Sequence, residues 1–235
     1  MPEELNRIVT DHLADLLWTP SPDGDENLLA SGVDASKIVR VGNIMIDTLV
    51  AMRPAVESSQ FLESISFKHD SHAMVTLHRP SNVDDPATLD VLLNKLLNVA
   101  QKMDLIWPLH PRTKARIESL GRLEELLANK AIHLLGPLGY IDFMHGIMHS
   151  KCVITDSGGI QEETTWLRVP CITLRPNTER PITITQGTNV LATPETLQTE
   201  LERIEQDSMA HQKEIEYWDG KTAQRTQHRA CVLER

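Results

Sequence analysis

Aromatic residues make up only 4% of the 235 residues: three Phe, two Tyr and four Trp. A core with so few rings must rest on aliphatic side chains, and a ring set beside polar residues becomes a candidate for stacking on a flat ligand. Cysteine is as scarce. Cys152, Cys171 and Cys231 have no metal-like pair spacing, and two of them sit in apolar strand-like runs, which suggests buried thiols in a reducing compartment. Cations are in deficit, with 23 Lys and Arg against 33 Asp and Glu and a formal net charge of -10, which argues against nucleic acid as a partner. No apolar run approaches the roughly 20 residues of a membrane span, and the opening is not leader-like. These absences predict a cytoplasmic protein with no membrane or nucleic-acid partner.

What is present is alternation. Apolar residues, 40% of the chain, recur in short strand-like runs separated by segments of helical period. Helices are predicted at 2–13, 26–31 and 44–52, the last ending before Pro54, with strands at 16–19 and 38–41. A second series follows. Its strands fall at 72–77, 105–109, 131–135, 151–155, 171–174 and 189–191, and its helices at 86–101, 111–120, 123–129, 142–149, 159–167 and 194–205. The tail, 221–235, has the pattern of one more amphipathic helix. Such alternation implies an α/β fold with a parallel, doubly wound sheet, whose ligands gather at the carboxyl ends of the strands. Five polar clusters directly follow predicted strands, at residues 78–82, 110–112, 136–140, 156–159 and 175–180, and would share one rim.

The most telling of them is Thr155-Asp156-Ser157-Gly158-Gly159-Ile160-Gln161-Glu162-Glu163. A strand that stops at Ser-Gly-Gly and turns into a helix presents unpaired amides at the positive end of the helix dipole, a seat for phosphate. Ser157 can add a hydroxyl. Glu163, a turn further on, is placed to accept hydrogen bonds from a sugar diol, so the group suggests a nucleotide sugar. An ordinary tight turn would read the same way in isolation. His78-Arg79 places an imidazole and a guanidinium at another strand end, where His78 can stabilise a departing diphosphate. His110 repeats the theme beside Pro111 and Arg112, and reads equally as a helix-opening residue. Arg175 and Arg180 are candidates for bidentate contact with phosphate, or partners of a surface glutamate. Phe143 faces either a flat base or the core. Glu3 and Glu4 beside Arg7, taken alone, are the acidic first turn of a helix.

In order and spacing, Pro2-Glu3-Glu4-x-Asn6-Arg7, Gly42-Asn43-x-x-Ile46-Asp47, Thr76-Leu77-His78-Arg79, Pro137-Leu138-Gly139-Tyr140, Asp156 to Glu163 and Thr178-Glu179-Arg180-Pro181 resemble the non-hydrolysing UDP-N-acetylglucosamine 2-epimerases. The resemblance implies a GT-B-like fold of two Rossmann-type domains. It also implies interconversion of UDP-N-acetylglucosamine and UDP-N-acetylmannosamine by elimination and re-addition of UDP through 2-acetamidoglucal. No cofactor or metal is needed. By motif, His78 is the histidine near the diphosphate and Glu3 an acid–base carboxylate. Ser157, Gly158 and Gly159 form the phosphate turn, with Arg180 a further ligand; Glu163 binds ribose and Phe143 contacts uracil. The resemblance further suggests a homodimer. Family members carry roughly a domain before the Pro-Glu-Glu motif. The expected organisation is therefore a remnant of the N-terminal domain at 1–53, a linker at 54–71, the UDP-binding domain at 72–220 and a crossing helix at 221–235, with weak or absent turnover by the chain alone. Ser81 stands where many bacterial relatives have glutamate, which leaves allosteric binding of a second substrate molecule unsupported. A GT-B glycosyltransferase, a hydrolysing epimerase and a non-catalytic UDP-binding fragment are the alternatives.

Overall fold

The computed structural model describes residues 2–206 and 213–233, without the side chains of 2–3 and 229–233. The chain runs through α1 (Pro2–Leu13), β1 (Leu17–Thr19), α2 (Pro22–Ala30), β2 (Ile38–Arg40) and α3 (Ile44–Glu57). It continues through β3 (His72–Thr76), α4 (Pro80–Val83), α5 (Pro86–Val99), β4 (Asp104–Pro108), α6 (Pro111–Ser119), α7 (Leu123–Ala128) and β5 (Ile132–Leu135). Then follow α8 (Tyr140–Met148), β6 (Cys152–Thr155), α9 (Ile160–Leu167), β7 (Cys171–Leu174), α10 (Ile182–Thr185), β8 (Asn189–Ala192), α11 (Leu197–Glu205) and α12 (Thr222–Leu233).

Contacts divide these elements into two compact units, residues 1–51 with 213–235, and residues 52–212. In the second, six parallel strands lie in the order β5-β4-β3-β6-β7-β8. The inner strands are apolar throughout because helices cover both faces: every residue of β6 and β7 is buried. Helix α5 supplies one wall of the core. Its Leu89, Leu92, Leu93 and Leu96 fall on one face at helical spacing and are fully buried. With few rings available the core is aliphatic; Trp107 is its one large aromatic anchor among the described residues. Cys152 and Cys171 are free thiols buried on neighbouring strands, and burial pushes them up to about 12 and about 11. Cys231 is among the residues whose side chains lie outside the description.

The first unit pairs β1 with β2 in parallel, Leu17 opposite Ile38 and Thr19 opposite Arg40. Helix α1 forms where its period predicts, but Leu5, Ile8, Val9 and Leu13 of the apolar stripe are exposed. The first turn of α12 is held by Asp47, whose carboxylate accepts the amides of Thr222 at 3.0 Å and Ala223 at 2.8 Å. Beside it Gly42 adopts φ +100, and a Cβ there would lie 2.1 Å from the carbonyl oxygen of Tyr217.

Three local expectations are corrected. Helix α3 does not end before Pro54 but runs through it to Glu57. Its last turn is fastened: Val56 is fully buried, and its carbonyl accepts from Nδ1 of His145 at 2.8 Å. Residues 58–71, expected as part of a linker, contain a 310 turn at Phe61–Ser64 and are pinned to the sheet. The buried Asp104 carboxylate accepts the amides of Lys68 at 3.0 Å and His69 at 2.6 Å, and Nε2 of His133 at 2.7 Å. Short helices α4 and α10 lie in segments read from sequence as polar loops. Four residues cannot display a helical period, so the pattern had nothing to show.

Candidate active site

Strands β3 and β6 are neighbours at the centre of the sheet, and the chain winds outward from them in opposite directions. A crevice opens above their carboxyl ends at such a reversal. The five polar clusters leave the carboxyl ends of β3, β4, β5, β6 and β7, so the parallel sheet puts all of them on that rim.

One residue joins the two sides of the crevice. Asp156, fully buried at the end of β6, accepts from the amides of His78 at 3.0 Å and Arg79 at 2.8 Å and from Nδ2 of Asn82 at 3.1 Å. Its other oxygen lies 3.0 Å from Nδ1 of His78. The carboxylate thus fixes the backbone at His78 and Arg79 and lies beside the His78 ring, which lines the cleft. In the sequence Asp156 is no more than part of a turn, because its partners lie more than 70 residues away.

On the β6 side, the Ser157 amide donates to Oγ1 of Thr155 at 2.9 Å. The amides of Gly158, Gly159 and Ile160 have no protein acceptor among the described residues. They open α9, an eight-residue helix, so donors and dipole point the same way. Gly158 lets Arg180 come close: a Cβ there would lie 2.9 Å from Nη1 of Arg180, which would have to swing aside. The Arg180 guanidinium donates through Nε to the buried Glu162 at 2.8 Å and through Nη1 to Glu179 at 3.3 Å. Arg175 meets the same Glu179 at 2.8 Å. Both readings of these arginines, ligand contact and glutamate partner, therefore keep their geometry.

Gln161 ties this arginine loop to the turn. Fully buried, it accepts from Thr178 Oγ1 at 2.6 Å and Asn189 Nδ2 at 3.1 Å, while its own amide donates to the Ser157 carbonyl at 3.1 Å. The Arg180 amide in turn donates to Thr178 Oγ1 at 3.0 Å. Nothing local in the sequence singled Gln161 out; a buried amide in the first turn of a helix gains its meaning from a loop 17 residues on.

Glu163 is buried and accepts from the Tyr140 hydroxyl at 3.0 Å. Burial raises its carboxyl above the usual range, partly offset by the Tyr140 bond and reinforced by Glu162. Burial likewise raises the Tyr140 hydroxyl, with the Glu163 charge adding to it. Phe143 lines a cleft of about 220 Å³ with Thr76, Leu77, His78, His110 and Pro137 among its other walls. The His78 and His110 rings lie 5.9 Å apart. His110 also caps α6 through Nδ1, which accepts the Arg112 amide at 3.2 Å, so the helix-opening role is the one the geometry shows. Arg79 leaves Nε buried without a hydrogen-bond partner among the described residues. The Glu3 side chain lies outside the described residues.

A doubly wound parallel sheet with a glycine turn, a histidine beside a buried carboxylate and two arginines at its switch point defines an α/β protein of the Rossmann type, and its structural neighbours give it a GT-B-like fold. The family described as UDP-N-acetylglucosamine 2-epimerase matches residues 1–228, and the chain belongs to that family. A UDP-N-acetylglucosamine 2-epimerase of Methanocaldococcus jannaschii is 38% identical over 197 residues, 81% of this chain and 54% of the relative. A UDP-2,3-diacetamido-2,3-dideoxy-D-glucuronate 2-epimerase of Pseudomonas aeruginosa is also 38% identical over 197 residues, covering 81% and 52%. The solved structure of the M. jannaschii UDP-GlcNAc 2-epimerase in complex with UDP-GlcNAc and UDP superposes with a TM-score of 0.82 at 32% identity, over 99% of this chain and 65% of that one. The chain thus spans about half the length of the curated relatives it matches. Among the described residues no helix is long and apolar enough to cross a membrane.

Proposed function

We propose that the chain binds UDP at the Ser157–Gly159 turn and serves a UDP-N-acetylglucosamine 2-epimerase reaction. In that reaction a base removes the proton at C2 of the sugar, the bond from C1 to the diphosphate oxygen breaks, and UDP leaves with the electron pair to give 2-acetamidoglucal. Protonation of C2 on the other face and return of UDP to C1 complete the inversion. The diphosphate sits against the free amides and Arg180, with Arg79 and Arg175 adding charge; the ribose diol donates to Glu163, and uracil packs on Phe143. His78 faces the diphosphate with Nε2, and Glu3 takes part in proton transfer at C2. The chemistry is proton transfer and leaving-group stabilisation, for which these groups suffice without a cofactor. We place the reaction in the cytoplasm and read the assembly as a homodimer, a stoichiometry that light scattering measures directly.

The observation that carries this reading is the buried Asp156 carboxylate, which ties the His78–Arg79 backbone to the start of the glycine turn. Two experiments test it. Calorimetry should give saturable UDP binding that weakens in Arg180→Ala. Turnover by the chain alone is expected to be weak or absent, but whatever product it forms from UDP-N-acetylglucosamine in deuterated water should carry deuterium at C2, which neither a glycosyltransferase nor a binding module would give. The Pseudomonas relative, equally identical, is named for a diacetamido uronic acid substrate, so the same exchange assay on that nucleotide sugar decides the sugar class. Sugar transfer without exchange at C2 would overturn the proposal.

A further inference from the structure

The arginines of the anion turn already hold an anion. The Glu179 carboxylate accepts from Nη2 of Arg175 at 2.8 Å and from Nη1 of Arg180 at 3.3 Å. Its Oε2 lies 3.6 Å from the point that a Cβ on Gly158 would occupy, so it is beside the turn whose amides lack acceptors. Arg79 adds its charge to the field at Glu179. The three members are unequally accessible. The Glu179 side chain is 62% exposed, against 31% for Arg180 and 10% for Arg175, so the carboxylate approaches two largely enclosed cations from the solvent side.

We infer that Glu179 is a built-in counter-anion, which holds Arg175 and Arg180 at the glycine turn while the seat is empty and gives them up to an incoming diphosphate. The inference rests on the turn being that seat. Enclosed guanidinium groups without counter-charge are costly, so an empty seat lined by them favours an internal partner. An exposed carboxylate is the partner most easily displaced, because water solvates it as soon as it leaves. Arg180 does not depend on it for position, since its Nε stays with the buried Glu162 and its backbone with Thr178. The edge that Glu179 occupies is the one a diphosphate would use, offering more oxygens and more charge in the same place. Glu179 thereby opposes nucleotide binding and eases its release.

Calorimetry on the full chain with UDP, and separately with inorganic pyrophosphate, tests the inference in wild type, Glu179→Gln and Glu179→Ala. Glu118→Gln, an exposed carboxylate paired with Lys114, controls for net charge. Both substitutions at 179 should tighten UDP and pyrophosphate about three- to tenfold, the range expected for exchanging weak exposed ion pairs, with Glu118→Gln unchanged. Equal tightening in Glu118→Gln would reduce the effect to bulk charge and overturn the inference. Wild-type binding that is unchanged or weakened by both substitutions at 179 overturns it too, with the UDP reading intact. Binding of neither ligand by any of the chains removes the seat itself, and both proposals with it.

Discussion

At Asp156 one side chain settles the backbone of the loop after β3 and stands against the ring of its histidine. Three donors converge on one oxygen of a carboxylate with no access to water, and Asn at that position would set its NH2 either against those three or against the His78 amide and ring on the other side. Asp156→Asn should therefore lower the unfolding free energy by about 2–4 kcal/mol, the cost of breaking a buried charge-assisted cluster. His78→Ala, at a half-exposed ring, should cost under about 1 kcal/mol. Urea midpoints distinguish the two, and equal losses would mean that the carboxylate serves only the ring. Glu163 shows the opposite economy. Its carboxyl is raised by burial, so its folded-state pKa lies above the unfolded one. Stability is then fully present below the ordinary carboxylate range and is lost as pH rises through the raised value. Glu163→Gln should abolish that loss. Its melting temperature should match wild type near pH 4 and exceed it at neutral pH, while UDP affinity falls because the diol acceptor is weakened. Of these residues the sequence displayed His78, Glu163, Ser157 and Arg180, whose types and strand-end positions announce chemistry. Asp156 and Gln161 stayed hidden, since their partners are brought near only by the sheet.

Helix ends and caps separate what local rules can see from what tertiary structure decides. Strand positions in the second unit emerge from apolar runs alone, because strands buried on both faces cannot alternate. Pro54 misleads, since a proline inside a helix removes one hydrogen bond at a cost of about 3 kcal/mol, yet the burial of Val56 and the His145 bond retain the last turn of α3. Helix α12 depends on a similar distant contact. Asp47 caps it from 175 residues away, so Asp47→Ala should destabilise the first unit by about 1–2 kcal/mol. The loss should appear first as faster amide exchange at residues 222–226. Unaltered exchange there would mean that α12 holds without the cap. The connecting segment behaves alike: burial opposes ionisation of Asp104, but His133 and the amides of Lys68 and His69 hold its carboxyl below the ordinary range. Its contribution is present above that range and lost on acidification, so Asp104→Asn should flatten the acid limb of the unfolding curve.

Across the whole chain, an excess of ten negative charges is compatible with the proposed anion seat because Arg79, Arg175 and Arg180 stand close together at one rim. Charge-assisted bonds of this kind contribute about 1.5–3 kcal/mol each, so Arg180→Ala should weaken UDP roughly ten- to hundredfold, and Ser157→Ala less, since main-chain amides remain. Calorimetry at two salt concentrations checks both, and equal losses would make the hydroxyl more than an accessory. Family signatures in the sequence turn out to be of two kinds. Asp156 to Glu163 builds the rim, whereas Gly42-Asn43-x-x-Ile46-Asp47 fastens α12 within the first unit. Periodicity could not tell these apart, because conserved-looking glycines and aspartates serve turns, caps and ligands alike. The carbonyl of Tyr217 pressed into the space over Gly42 makes that position unforgiving: in a pool of variants randomised at codon 42 and sorted for folded protein, the survivors should read glycine almost without exception.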